Sequence, residues 1–153
     1  MSDYRMSAGV RARLALPQRM LIGDGWCSAK DGSVSDVYNP SSGEIIAHAA
    51  TATAGDCERA VAAARASFDA GIWTGLTPAQ RGRILWRAAD LLESYADEVA
   101  ELEMLDAGKS FAGARNAEVP FAADCLRYFA GWCTKIEGST KQLSTVPGGD
   151  FHI

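Results

Sequence analysis

The run Thr77-Pro78-Ala79-Gln80, with the stripe behind it, constrains this chain more than any other feature. Thr77 can cap a helix by accepting a hydrogen bond from a first-turn amide. Pro78 suits the first helical position, where a missing N–H costs nothing, and Gln80 can reach back to the cap. Beyond them Leu85, Ala88, Leu92, Tyr95, Val99 and Leu102 recur at three and four, one apolar face that ends at Gly108. Two further helices follow from similar signals. Thr53 opens one, with Asp56 three residues on, and its apolar face is Cys57, Val61, Ala64 and Phe68, closed by Gly71 to Gly75. The last carries Phe121, Cys125, Phe129, Trp132 and Ile136 on one face. Pro120 belongs in its first turn, which predicts a separate short helix or turn over Ser110 to Ala117.

Strands precede these helices. Met20-Leu21-Ile22 and Trp26-Cys27 flank Gly23-Asp24-Gly25, a hairpin signature. Asp36-Val37-Tyr38 leads into the turn Asn39-Pro40-Ser41-Ser42-Gly43, and Glu44 to Ala50 alternates as a returning strand. The predicted class is therefore mostly α with a small antiparallel β-hairpin region.

A length of 153 residues suits one ordinary domain, and 48% hydrophobic with 22% charged residues reads as globular. A net charge of -4 gives no reason to expect nucleic acid or an acidic membrane as partner. No apolar run approaches the roughly 20 residues of a membrane span. The N-terminus carries Arg5, Arg11, Arg13 and Arg19 without an apolar core segment, so residues 1–17 are expected to be a disordered tail, with an Arg-rich transit peptide as the alternative. Cys27, Cys57, Cys125 and Cys133 include no C-x-x-C pair. Cys125 and Cys133 lie roughly 12 Å apart along one helix, beyond the ~7 Å that a disulfide allows. Buried structural thiols in a reducing, cytoplasmic setting are expected.

Asp106 stands out. Leu85, Leu92 and Val99 fall at sevens, and the next position in that series is a carboxylate close to a helix C-terminus. Desolvation and the helix dipole both disfavour charge there, so something should compensate: loop amides or Lys109. Other apparent sites are weaker. Gly23-x-Gly25-x-x-Ser28 lacks a third glycine and runs into a strand, so it reads as a hairpin and not as a dinucleotide loop. His48 reads as a strand residue, and His152 lies too near the terminus to interpret. Tyr128, Phe129 and Trp132 read as helix-packing core, and Arg81, Arg83 and Arg87 as a solvated face paired with acidic neighbours.

Four motifs in order, from about Met20 to Gly138, carry a resemblance. Asn39-Pro40-Ser41-Ser42-Gly43-Glu44 fits N-P-x-[ST]-G-E, and Thr77-Pro78-Ala79-Gln80-Arg81-Gly82-Arg83 fits T-P-x-[EQ]-R-[GS]-R. Leu105-Asp106-Ala107-Gly108-Lys109 fits L-D-x-G-K, and Leu126-Arg127-Tyr128-Phe129-Ala130-Gly131-Trp132 fits L-R-Y-[FY]-A-G-W. The chain resembles the N-terminal region of the aldehyde dehydrogenase superfamily, NAD(P)-dependent oxidisers of aldehydes to carboxylic acids. The resemblance implies the N-terminal part of that family's α/β fold, with residues 18–139 belonging to the cofactor-binding domain. Residues 140–153 would begin an excursion into the oligomerisation sheet of a homo-dimer or tetramer, cut short at the chain's end. It also implies that Asp106 helps bind a structural monovalent cation, potassium or sodium, with main-chain oxygens of Val37 and Tyr38.

The same resemblance implies chemistry that this stretch does not contain. The reaction needs a cysteine thiolate that attacks the aldehyde to form a thiohemiacetal, donors for the oxyanion, and a carboxylate base. The family places these in G-Q-x-C, P-W-N and E-L-G-G-K contexts, and none occurs here. No catalytic or cofactor-binding residue is therefore assigned, and the chain alone is expected to be inactive. The opening PQRMLIGDGW is similar to that of the phenylacetaldehyde and related aromatic-aldehyde branch. The alternative reading is a non-catalytic helical interaction module derived from the same family.

Overall fold

The computed structural model describes residues 6–142 and 150–152, from 140 onward as backbone only. Two antiparallel pairs come first. Strands β1 (Met20–Ile22) and β2 (Gly25–Cys27) pair Leu21 with Trp26, and Gly23 adopts the positive φ of 65° that such a tight loop needs at its first position. Strands β3 (Val34–Tyr38) and β4 (Ile45–Ala50) pair Asp36 with His48, and the register slips between Val37 and Tyr38. His48 Nδ1 lies 2.9 Å from Asp36, an exposed cross-strand contact with no further partner chemistry. A third pair, β5 (Thr140–Gln142) with β6 (Asp150–His152), closes the chain. Residues 143–149 and 153 of the expected oligomerisation excursion lie outside the described residues.

Helix α2 (Ala54–Asp69) starts at a complete capping box, with Thr53 and Asp56 bonded reciprocally. Asp56 is fully buried because it does more than cap. Its Oδ2 accepts from the main-chain N–H of Thr53 (2.9 Å) and Lys30 (3.1 Å), and its Oδ1 from Arg59 (2.6 Å). These bonds, the Thr53 amide foremost and then Arg59, hold the carboxyl well below the usual carboxylate range. The same residue therefore ties the loop before β3 to the head of α2.

Helix α3 (Pro78–Ser94) also opens at a complete box, Thr77 with Gln80, and with proline in its first turn. The apolar stripe predicted one helix to Gly108; the chain instead breaks at Tyr95 (φ -107°) and restarts as α4 (Ala96–Ala107). Ser94 Oγ donates to the Leu91 carbonyl at 2.7 Å, competing with the helical ladder, while Asp97 and Glu98 favour a fresh N-terminus. A second departure follows. Phe111–Gly113 (α5), a π-helical turn at Ala114–Glu118, and α6 (Val119–Trp132) run as one continuous helical rod where a separate short helix was expected. The wider π turn absorbs the clash that Pro120 would otherwise make with the preceding turn.

Among the described residues, packing is most extensive between α3 and α6. A Cβ built on Gly82 would lie 3.0 Å from the Ala130 carbonyl oxygen, so the two backbones nearly touch. Helix α6 uses this small-residue face, Val119, Ala123 and Ala130, for burial. The face expected to form core is consequently open: Phe121 is 75% and Ile136 81% exposed, and Tyr128, Phe129 and Trp132 are exposed as well. On α2, Val61 and Phe68 are likewise exposed, and that helix packs against β1. The core proper lies around Ala96, Ala100, Ala114 and Val119, where α4 meets the π turn.

The N-terminal expectation also changes. Within the stretch read as disordered, Ala8–Leu14 form helix α1, capped by Ser7, whose Oγ accepts from the Val10 amide. Val10 is completely buried. Contacts of α1 with α4 and β4, with the Ser7 amide held by Glu101, order a segment whose composition alone suggested a free tail.

Candidate functional site

The motif carrying Asp106 and the turn after β3 meet in space. Helix α4 ends at Gly108, in the left-handed conformation (φ 70°), with its N–H on the Met104 carbonyl at 3.0 Å. The turn is built by Asn39, whose Oδ1 accepts from the Ser41 amide at 2.9 Å, and by Gly43 (φ 74°), whose N–H donates to the Asn39 carbonyl at 2.7 Å. Ser41 Oγ then donates to the Gly108 carbonyl at 3.4 Å. A side chain on Gly108 would collide with Pro40, whose Cγ lies 2.9 Å from the position of a Cβ. Glycine is needed here twice, for backbone conformation and for contact. The sequence signalled only the first.

This junction places Asp106, at the last turn of α4, beside the end of β3. Asp106 and Val37 line one cavity of about 360 Å³, together with Ile46. The register slip falls at Val37 and Tyr38, the two residues whose main-chain oxygens the family resemblance singles out. A bulge at that point interrupts the regular ladder. Tyr38 is not among the residues that line the cavity, and its hydroxyl bonds Asp36 at 3.3 Å.

Two expectations about Asp106 change. The residue is exposed, so burial does not penalise its charge; the break at Tyr95 shifts the phase of the stripe and turns this position outward. Lys109 does not pair with it. Lys109 Nζ donates to Glu103 (2.6 Å) and to Glu118 (2.8 Å), which hold its pKa above the ordinary lysine value, Glu103 first and Glu118 second. Lys109 thereby fastens α4 to the π turn and leaves the Asp106 carboxylate to the cavity. Among the described residues no three His, Cys, Asp or Glu side chains gather as they would for a divalent metal. One carboxylate with main-chain oxygens is a donor set for a weakly held, hard monovalent ion.

The remaining candidates carry no chemistry. All four cysteines are free thiols; Cys57 and Cys125 are exposed and not buried as expected: α6 buries Val119, Ala123 and Ala130 instead, and α2 buries only Asp56. Arg81 donates to the Leu76 carbonyl at 2.7 Å, and among the described residues Arg81, Arg83 and Arg87 join no ion pair. The strong cluster is elsewhere: Arg127 on α6 clamps Glu93 (2.5 Å) and Asp90 (2.9 Å) of α3 and lies over the Trp86 ring. Glu93 and then Asp90 raise its pKa, which marks a structural clamp locking α3 to α6.

Comparison with known proteins follows the same lines. The sequence profile of the aldehyde dehydrogenase family matches residues 26–151. An aldehyde dehydrogenase of Alternaria alternata is 43% identical over all of this chain and 30% of its own length. A phenylacetaldehyde dehydrogenase of Pseudomonas fluorescens is 42% identical over 131 residues, which is 86% of this chain and 26% of that protein. Among solved structures, the NAD+ complex of a Bacillus cereus aldehyde dehydrogenase superposes with a TM-score of 0.86 at 35% identity, over 92% of this chain and 28% of that one. The chain thus spans under a third of the length of these relatives.

Proposed function

Because the chain belongs to the aldehyde dehydrogenase family, we propose that it forms the N-terminal part of an enzyme that oxidises an aldehyde to a carboxylic acid with NAD or NADP. The observation that carries this reading is the joint match of sequence and backbone over nearly the whole chain, at the N-terminal motifs in their expected order. Residues 18–139 then belong to the cofactor-binding domain and residues 140–153 lead toward the oligomerisation sheet of a cytoplasmic homo-oligomer. No helix among the described residues is long and apolar enough to cross a membrane.

What this stretch supplies is scaffold. The cysteine, oxyanion and base motifs of the family are absent from the 153 residues, so the nucleophile and base belong to other parts of the enzyme. The open apolar faces of α2 and α6 fit a segment that packs against more protein. Bound nicotinamide would supply the hydride acceptor, and no residue here is assigned to touch it. Asp106, with main-chain oxygens of Val37 and Tyr38, is proposed to hold potassium or sodium, fixing the end of β3 to the end of α4. The shared cavity and the bulge support that assignment.

The test is direct. The purified chain, incubated with aliphatic and aromatic aldehydes and with NAD or NADP, should produce no reduced nicotinamide. Absorbance growth that requires both protein and cofactor would show that catalytic groups lie within these residues and would overturn the assignment of a scaffold role.

A further inference from the structure

Glu101, in the middle of α4, has almost no contact with solvent (4% exposed). A buried carboxylate is costly unless hydrogen bonds satisfy it. The Glu101 Oε1 accepts from the Ser7 main-chain N–H at 2.6 Å, a partner 94 residues away in sequence. From that anchor the segment crosses the molecule. Ser7 caps α1, Val10 fills a fully buried position, and Arg13 reaches Glu98 at 3.5 Å. Gln18 finishes the crossing on the edge of β4: its N–H donates to the His48 carbonyl at 2.8 Å, and its carbonyl accepts from the Ala50 N–H at 2.9 Å.

Beneath this strap lie two cavities that share Val99 and Leu102 on α4. One, of about 360 Å³, is bounded by Leu14 and Gln18; the other, of about 440 Å³, by Arg13. The two cavities meet at these shared residues, and the end of α1 lends a lining residue to each, Leu14 to the first and Arg13 to the second. The contacts holding the strap are few and separate from those that lock α3 to α6. Such a segment opens by local release at a free energy below that of global unfolding.

We propose that residues 7–18 are a latch across α4, held by the buried Glu101 and by Val10, that releases as a unit and joins the two cavities into one groove along Val99 and Leu102. Glu101 is a positioning residue in this device; it acts by accepting the Ser7 amide. Glutamine retains the acceptor oxygen while alanine removes it.

Limited trypsin digestion of the full 153-residue chain reads the latch. Arg11 and Arg13 lie on it, and Arg83 and Arg87 lie on α3 as an internal control. When opening is fast relative to cleavage, the rate at each site follows its open population, so Glu101→Ala should speed cleavage at Arg11 and Arg13 by about tenfold or more. Cleavage at Arg83 and Arg87 should stay within about twofold of the parent, since those sites report global unfolding. Glu101→Gln should remain much closer to the parent. Val10→Ala should reproduce the alanine pattern through a different contact, which keeps the proposal testable if Glu101→Ala folds poorly. Unchanged cleavage at Arg11 and Arg13 in both alanine variants would overturn the latch. Parallel acceleration at all four arginines would overturn it too, by making the strap part of the global core.

Discussion

Replacing Gly82 by alanine sets two physical effects against each other where the backbones of α3 and α6 come close. Glycine inside a helix costs about 1 kcal/mol relative to alanine, so the change on its own should stabilise α3. Against that stands Ala130, whose carbonyl oxygen lies 3.0 Å from where the new Cβ would sit. The obstacle is backbone in a neighbouring helix and not the end of a flexible side chain, so α3 and α6 must part by a few tenths of an ångström. Overpacking of this kind costs about 1–3 kcal/mol, which outweighs the propensity gain and leaves a net loss of about 0–2 kcal/mol. Gly131 on α6 is the control. The nearest atom to its added Cβ is the mobile Lys135 Nζ, 3.8 Å away, so Gly131→Ala should gain up to about 1 kcal/mol. The two variants should therefore separate by about 1–3 kcal/mol, a few degrees in melting temperature for a chain of this size. Urea unfolding followed by circular dichroism, on both variants side by side, measures that gap. If Gly82→Ala stabilises as much as Gly131→Ala, the close approach of α3 and α6 is refuted.

Three further outcomes are expected. Gly108→Ala should lose about 2–4 kcal/mol, since the left-handed conformation and the collision with Pro40 both count against it, and denaturant midpoints would read it. Asp56 has a folded pKa depressed below its ordinary 3.8, so the stability it lends is present above that value and is lost as pH falls through the lower folded value. Urea midpoints between about pH 6 and pH 3 should therefore fall less in Asp56→Asn than in the parent; equal slopes would remove Asp56 as the cause. If Asp106 serves a cation, exchanging potassium for a bulky organic cation should lower the melting temperature of the parent but not of Asp106→Ala or Asp106→Asn. A potassium response that survives in both variants would end that assignment.

What could be read from the sequence was local chemistry. The hairpin at Gly23, the Asx turn at Asn39 and the boxes at Thr53 and Thr77 depend on residues within a few positions of one another, and all form as expected. What escaped depends on partners far along the chain. Periodicity marked Phe121, Phe129 and Trp132 as one apolar face of α6, but it could not say that the helix would bury its alanines against Gly82. A glycine in a helix reads as a weakness until its neighbour is known. The break at Tyr95 was hidden because an unbroken apolar stripe masks a competing serine hydroxyl. The order of α1 rests on Glu101, too distant for any local pattern to reveal. At the candidate cation site the sequence brought Asp106, Val37 and Tyr38 together through family resemblance. The structure adds the physical link, Gly108 seated on Pro40 and Ser41, and removes the burial first expected of the carboxylate.

If this chain is working scaffold for aldehyde oxidation with its catalytic groups elsewhere, as proposed, a segment exchange tests that most directly. The matching N-terminal portion of the Bacillus cereus aldehyde dehydrogenase, which superposes at a TM-score of 0.86, would be replaced by this chain and assayed for NAD-dependent aldehyde oxidation. The chimera should turn over while the isolated chain does not. A chimera that folds and assembles yet stays inactive would contradict the claim and favour a segment that has become an interaction module.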